Sequence, residues 1–198
     1  MLKSKKNISI KDQIINSALI LAQENPWQTV TMDKIINHSQ LSKADIDEYF
    51  DCKTDILVGY GRRIDRHLHD NIHFGDDTDL TPREKLFDIL MDRFDRVNED
   101  RQAILSILHS FKKDPKQMVI SLPHLGKSMA RALDLSGITS TGIRGAIHVS
   151  GLVGVYLYAL KIWMDDDSPD LSKTMAALDK ALGFIDRTMQ NPLCQRFL

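Results

Sequence analysis

The sequence predicts an all-α protein, with an N-terminal three-helix bundle followed by a larger helical domain. Apolar residues recur at steps of three and four in most segments between turn residues, which is helical spacing. Capping signatures such as Ser9 with Asp12 mark helix starts, and the alternating strands of an α/β sheet are missing. The 198 residues, 42% hydrophobic and 27% charged, provide ample material for a soluble core.

Charge and cysteine content indicate which partners and which cellular compartment to expect. A net charge of −1 gives no global attraction to nucleic acid, so only local patches could supply it. Cys52 and Cys194 are far apart with no paired spacing, which favours a reducing compartment over a disulfide framework or a zinc site. No apolar leader follows the N-terminal lysines, so a cytoplasmic bacterial protein is expected.

The chain begins with a basic segment and a well-marked helix. Residues 1–7 are predicted to be a mobile arm whose lysines, Lys5 and Lys6 among them, either contact DNA or only solubilise the terminus. A first helix is predicted over Ser9–Glu24, because one face repeats apolar residues and Asn25-Pro26 ends it. Trp27 is predicted to plug the turn that follows.

A stretch from Thr29 to Leu57 reads as short helices separated by tight turns. Thr31 is predicted to cap the first of these. Ser42 and Asp45 form a capping box for the next, which is predicted over 43–50. Two short helices joined by a turn of three or four residues make a helix-turn-helix, which sets its second helix into a DNA major groove.

Seven residues of this stretch match a known helix-turn-helix pattern: Thr31, Ile35, Leu41, Ser42, Phe50, Lys53 and Leu57. On these residues the stretch resembles the TetR family of bacterial regulators. Two positions depart from the family pattern: Gln40 stands where a Gly is usual, and Asp47 where a Tyr is usual. The second helix also carries Asp45 and Glu48 against a single cation, Lys43, which opposes binding to phosphate.

The resemblance implies a DNA-binding domain over 8–57, a ligand-binding and dimerisation domain over 58–190, and a tail over 191–198. It implies a homodimeric repressor whose affinity for an operator in double-stranded DNA is modulated by a small apolar ligand. No cofactor is expected. The residues expected at DNA are Thr31, Ser42, Lys43, Ala44, Tyr49 and Lys53, with Lys5 and Lys6 from the arm.

A long fourth helix is predicted from Cys52 to about His73, capped by Asp51 and linking the two domains. His69 and His73 lie one helical turn apart and raise the possibility of a metal site. An exposed helix end is the preferred interpretation, because no motif supplies further ligands. No metal site is therefore predicted.

Further helices are predicted after the acidic loop at 75–80. One starts at Thr81-Pro82, a second covers 103–111, and a third over 116–135 is kinked or divided by Pro123. Apolar side chains on these helices and the next could line a ligand pocket, although core packing explains them at least as well. They are Phe87, Met91, Phe94, Met118, Tyr156 and Trp163.

Residues 146–164 form the most apolar run, nearly long enough to cross a membrane. His148 and Lys161 lie inside it, so a buried helix at a subunit interface is predicted instead of a membrane span. The last helix, predicted from Ser168, carries a seam of apolar residues for the preceding helix and for a second subunit. The predicted dimer contacts are Ala146, Ser150, Gly154, Met175, Leu178, Leu182 and Ile185.

The segment 162–170, followed by Thr174, resembles a ubiquinone-biosynthesis accessory protein that has a TetR-like fold. That relative binds lipid and does not use its helix-turn-helix on DNA, so a lipid- or isoprenoid-binding accessory protein is the alternative function. The acidic run 165–167 is interpreted as a solvated loop with helix N-terminal charge. Hydrolase, metalloprotease and nucleotide-binding motifs are missing, so no catalytic residue is predicted.

Overall fold

The computed structural model describes residues 9–74, 79–111 and 115–189 of the chain. All regular secondary structure in these ranges is helical, which confirms the predicted all-α class. Lys5, Lys6 and the predicted tail at 191–198 lie outside the described residues. The helices are α1 Ile10–Glu24, α2 Met32–Ser39, α3 Lys43–Asp47, α4 Lys53–Asn71, α5 Pro82–Glu99, α6 Arg101–Phe111, α7 Pro115–Ser136, α8 Gly142–Met164 and α9 Ser172–Met189, with a 3-10 turn at Trp27–Thr29.

The described residues fall into two compact units. An N-terminal unit comprises the described parts of Met1–Arg63 and Val97–Leu122, and a C-terminal unit comprises those of Ile64–Arg96 and Pro123–Leu198. The unit boundary thus lies within α4, whereas the sequence suggested a domain boundary between 57 and 58. In the structure α6 packs on α1. The spacing of apolar residues along the sequence does not reveal this long-range contact. The assignment of a separate function to each domain stays a prediction.

The N-terminal unit is built around α1. The hydroxyl of Ser9 accepts a hydrogen bond from the backbone N–H of Asp12 at 3.1 Å, as the predicted cap requires. Trp27 is 1% exposed and fills the turn after α1, as predicted. The Trp27 backbone N–H donates to the Ser106 hydroxyl at 3.1 Å, and that hydroxyl donates to the Asn25 carbonyl at 3.1 Å. Ser106 therefore fastens α6 to this turn.

The start of α4 differs from its predicted form. The helix begins at Lys53 and ends at Asn71, which is shorter at each end than predicted. The carboxylate of Asp55 accepts from the backbone N–H groups of Asp51 and Cys52, each at 3.1 Å. Asp55 therefore stabilises the helix start from inside the first turn, and the prediction that Asp51 caps it was wrong.

The ring of Phe50 packs closely against α4 and depends on a glycine there. Phe50 is 6% exposed, and a Cβ added at Gly59 would lie only 2.7 Å from its Cε1. Gly61, two residues further along the same helix, has nothing within 4 Å of an added Cβ. Substitutions at the two glycines therefore test the effects of close packing and of helix propensity separately.

We expect Gly59→Ala to lower the free energy of unfolding and Gly61→Ala to raise it. At Gly59 the methyl overpacks the Phe50 ring, which costs about 1–3 kcal/mol and outweighs the propensity gain. At Gly61 the open space leaves only that gain, up to about 1 kcal/mol. Urea unfolding of both variants measures the difference, and equal effects at the two positions would contradict the Phe50 contact.

In the C-terminal unit α8 packs on α9, and one predicted helix start was wrong. Pro123 lies inside a continuous α7, so of the two predicted outcomes the divided helix is excluded. The last helix begins at Ser172, not Ser168, because Leu171 has a positive φ of 52° immediately before it. Positive φ in a non-glycine residue is incompatible with continuing a helix.

Asp166 organises the start of α9 and is not solvated. It is 1% exposed, so the interpretation of residues 165–167 as a solvated loop was wrong for this residue. Its carboxylate accepts from the backbone N–H and hydroxyl of Thr174, at 2.8 and 2.7 Å, and from those of Ser168. Burial raises the pKa of Asp166, but these four hydrogen bonds outweigh it and hold the pKa well below its usual range.

A buried ion pair joins α4 to α5 within the same unit. Asp65 accepts from Arg93, from the Ser128 hydroxyl at 2.6 Å and from Arg131 at 3.1 Å. The side chains of Asp65 and Arg93 are 6% and 7% exposed. The Arg93 guanidinium also lies 5.4 Å from the ring centroid of Tyr156. Buried charges in proteins are normally paired in this way.

Candidate nucleic-acid interface

The helix-turn-helix predicted from the sequence is formed by α2, α3 and the turn between them. The hydroxyl of Thr31 accepts from the backbone N–H of Lys34 at 3.3 Å and caps α2. Gln40 ends α2 with φ 58° and ψ 22°, the left-handed conformation that favours glycine. Gln40 therefore adopts a backbone conformation that costs less free energy for glycine than for a residue with a side chain.

A reciprocal capping box starts α3. The hydroxyl of Ser42 accepts from the Asp45 backbone N–H at 3.1 Å, and the Asp45 carboxylate accepts from the Ser42 backbone N–H at 3.0 Å. Hydrogen bonds from the Ser42 hydroxyl and backbone lower the pKa of Asp45. The helix ends at Asp47, shorter than the predicted 43–50, and Ile46, which is 0% exposed, anchors it to the core.

Each of the three carboxylates near α3 interacts with a neighbouring residue of the chain. Asp45 is held in the capping box, and Asp47 lies 3.2 Å from the amine of Lys43. Hydrogen bonding to Glu48, followed by its charge, raises the pKa of the Tyr49 phenol. Lys43 and Asp47 keep 72% and 53% of their side chains exposed, so this pair lies in solvent, where ion pairs are weak.

Lys53 has a packing role that sequence spacing did not reveal. Its amine donates to the Trp27 carbonyl at 2.9 Å and lies 4.7 Å from the centroid of the indole ring. Burial lowers the pKa of this amine. The lysine therefore joins the start of α4 to the turn after α1.

The other residues predicted to contact DNA are placed as follows. Thr31, Ser42, Lys43 and Ala44 are exposed at the starts of α2 and α3. Tyr49 is half-buried, with the amine of Lys11 lying 5.0 Å from its ring centroid. The structure thus places Ser42, Lys43 and Ala44 together at the exposed start of α3, and Thr31 at the exposed start of α2.

The predicted ligand-pocket residues pack as core. Phe94 and Trp163 are 0% exposed, and the rings of Phe94 and Tyr156 stack with centroids 5.1 Å apart. Met91 is buried and Phe87 half-buried. The side chain of Met118 lies outside the described residues. Among these side chains the core interpretation is the better supported one.

The predicted dimer contacts divide into two groups. Ala146, Ser150 and Gly154 are exposed on α8, and Met175 is 41% exposed on α9. Leu178 and Leu182 are buried inside the single chain at 0% and 5% exposure, while Ile185 is half-buried. The seam of α9 is therefore filled in part by the chain's own helices.

Three solved structures share this architecture. A TetR transcriptional regulator from Nitrosomonas europaea ATCC 19718 matches at a TM-score of 0.72 and 18% identity, over 90% of this chain and 99% of that one. A TetR transcriptional regulator from Rhodococcus sp. RHA1 matches at 0.61 and 14%, over 89% and 94%. A putative TetR-family transcriptional regulator from Syntrophomonas wolfei matches at 0.58 and 15%, over 92% and 96%.

The class that the fold defines is therefore the TetR-like fold, as the resemblance in the helix-turn-helix predicted. No protein-family model matches the sequence, and no curated protein matches it. At identities of 14–18% the similarity establishes the fold alone.

Proposed function

We propose that the protein is a TetR-like DNA-binding transcriptional regulator, a repressor that acts as a homodimer in the bacterial cytoplasm. The observation that carries the proposal is the exposed, capped start of α3 directly after a tight left-handed turn from α2. In a helix-turn-helix the N-terminal residues of the second helix contact base edges. Lys43 and Ala44 occupy that position here.

Each DNA-contacting residue has a distinct role in the proposal. Thr31, at the start of α2, holds a phosphate through its hydroxyl or nearby backbone N–H groups. The Ser42 hydroxyl donates to the Asp45 carboxylate at 2.6 Å and contacts a phosphate by exchanging that acceptor. Lys43 contacts a phosphate or a guanine edge after exchanging its exposed partner Asp47 for DNA. A dimer would place two such helices about 34 Å apart, in successive major grooves of a near-palindrome.

The dimer is proposed to form through α8. An apolar stripe on this helix includes Ile143, Ile147 and Tyr158, which are 83%, 41% and 48% exposed. Ala146, Ser150 and Gly154 lie among them and allow close helix approach. The helix Gly142–Met164 is also long and apolar enough to cross a membrane by length and composition. Pairing with a second subunit covers the same stripe without a membrane.

The first test is a gel shift with DNA flanking the protein's own coding region. Lys43→Ala is expected to weaken binding to DNA. It should also make the affinity depend less steeply on salt concentration, by an amount that corresponds to about one phosphate contact per protomer. Asp47→Asn is expected to strengthen binding, because it removes a like charge to phosphate and frees Lys43. Lys180→Ala, an exposed lysine on α9, serves as the charge-matched control and should change neither quantity.

The opposite signs of Lys43→Ala and Asp47→Asn make the test specific to α3. Unchanged affinity in both variants, with the wild type binding the DNA, would contradict the assigned role of this helix. No binding by the wild type at low salt would contradict the regulator itself.

A lipid- or isoprenoid-binding accessory protein is the second candidate. The observation that favours it is the excess of negative charge at α3. Asp45, Asp47 and the neighbouring Glu48 carry three carboxylates, whereas Lys43 carries one positive charge. This candidate predicts a ligand that copurifies with the native protein and no operator. Mass spectrometry of the native protein distinguishes the two, since an empty protein that binds DNA supports only the regulator.

A further inference from the structure

A cavity of about 90 Å³ lies in the C-terminal unit, and the residues that the sequence suggested for ligand binding are not among its lining residues. This volume is several times the roughly 10–15 Å³ that one water requires. Its floor consists of Leu86, Leu133, Leu152 and Leu182, each no more than 5% exposed. Its partly exposed rim consists of Arg83, Ile138, His148 and Ile185.

The Arg83 guanidinium keeps donors for a ligand beyond its contact with Asp179. Its Nη2 donates to the Asp179 carbonyl at 3.1 Å and to the Asp179 carboxylate. Its Nε is buried, but the side chain is 35% exposed, and a guanidinium has five N–H donors in all. A planar group of charged donors at the rim of an apolar cavity suits a carboxylate.

His148 adds a second polar group at the rim. Its Nδ1 lies 3.0 Å from the Thr139 carbonyl oxygen, which can only accept, so Nδ1 carries the hydrogen. In the neutral ring Nε2 is then an acceptor, so His148 adds a polar edge to the rim while Arg83 supplies the donors for an acid. A polar rim over an apolar floor is the arrangement that small-molecule sites use to orient an amphipathic ligand.

We propose that this cavity binds a carboxylic acid with a short apolar chain. The chain lies on the four leucines, and the carboxylate pairs with the partly exposed Arg83 guanidinium while Asp179 retains Nη2. The inference names the effector class of the proposed regulator, and it rests on that proposed function only for its effect on DNA binding. Direct binding to the purified protein tests the site whether or not the protein regulates transcription.

The experiment is isothermal titration of the full-length protein with octanoate, octanol and octylamine. Octanoate is expected to bind at least about tenfold more tightly than the other two, because only it supplies a charged acceptor. Arg83→Gln should remove most of that preference and leave octanol binding unchanged. Arg66→Gln, an exposed arginine on α4 that does not line the cavity, is the matched control and should behave as wild type.

Asp179→Asn separates recognition from structure. Asp179 is 61% exposed in its side chain and is the counter-charge of Arg83. Its neutralisation should tighten octanoate binding if Arg83 recognises the ligand. If Arg83 serves only to hold α5 to α9 through this pair, Asp179→Asn should instead resemble Arg83→Gln.

Three results would overturn the proposal: no binding of octanoate by the folded wild type, equal binding of octanoate and octanol, or unchanged octanoate binding in Arg83→Gln. Circular dichroism confirms that each variant is folded. Octanoate binding that leaves any DNA complex unaffected would remove the regulatory role and keep the site. Binding to an operator by a protein that does not bind octanoate would remove the site and keep the proposed regulator.

Discussion

Asp65→Ala is expected to lower the free energy of unfolding by about 3–5 kcal/mol, the cost typical of breaking a buried ion pair by removing one partner. The variant leaves the Arg93 guanidinium buried without its carboxylate, and Arg93 is 6% exposed. In the wild type, burial lowers the pKa of Arg93, but Tyr156 and Asp65 outweigh it and raise the pKa. Arginine is not deprotonated in proteins, so in the variant the guanidinium stays charged without its buried carboxylate.

Arg131→Ala provides the matched control, because Arg131 donates to the same carboxylate from the surface. Its side chain is 60% exposed, so its loss should cost no more than about 1 kcal/mol. Urea unfolding of the three proteins measures both effects. Similar losses in Asp65→Ala and Arg131→Ala would contradict the account of a buried pair with an exposed accessory arginine.

Asp166→Ala is expected to cost about 2–4 kcal/mol, since it removes the buried acceptor that begins α9. The Thr174 backbone N–H and hydroxyl would lose their acceptor, and Thr174 is 0% exposed. Asp165→Ala, at the exposed neighbouring position, should change stability by less than about 0.5 kcal/mol. Equal effects at the two positions would refute the capping role.

The same carboxylate predicts an acid-dependent loss of stability. The folded pKa of Asp166 lies below its unfolded value of 3.8, so its contribution is present above that value and is lost as pH falls toward the folded pKa. Asp166→Asn should therefore lose less stability than wild type when unfolding is measured at pH values below about 4. If the free energy of unfolding depends on pH identically in the two proteins, Asp166 does not cause the acid-dependent loss of stability.

Features set by neighbouring residues could be predicted from the sequence. The caps at Ser9, Thr31 and Ser42 depend on residues three positions apart, and the structure forms all three. The turn at Gln40 followed from its place between two short helices, although its left-handed backbone is usual for glycine. The fold class followed from the same local signals.

Features that join distant segments could not be predicted. Lys53 meets Trp27 across 26 positions, and Asp65 meets Ser128 across 63, and no sequence period reports such pairs. The choice between pocket and core could not be made from the sequence for a related reason, because large apolar side chains such as Phe94 and Trp163 can either enclose space or fill it, and here both are buried. The cavity instead lies where Arg83 and four leucines leave a gap.

The resemblance of residues 162–170 to a lipid-binding relative acquires a structural explanation. Trp163 is a buried core residue, and Asp166, Ser168 and Thr174 together build the start of α9. These residues are therefore required by the fold whichever function the protein has. They do not distinguish a regulator from a lipid-binding protein.

Selection of bound sequences from random duplex DNA, at a stated salt concentration, is the decisive measurement for DNA recognition by α3. We expect enrichment of a near-palindrome whose half-sites lie about one helical turn apart, with weaker selection by Lys43→Ala. A folded wild-type protein that enriches no sequence even at low salt would contradict it, and would leave α2 and α3 as scaffold.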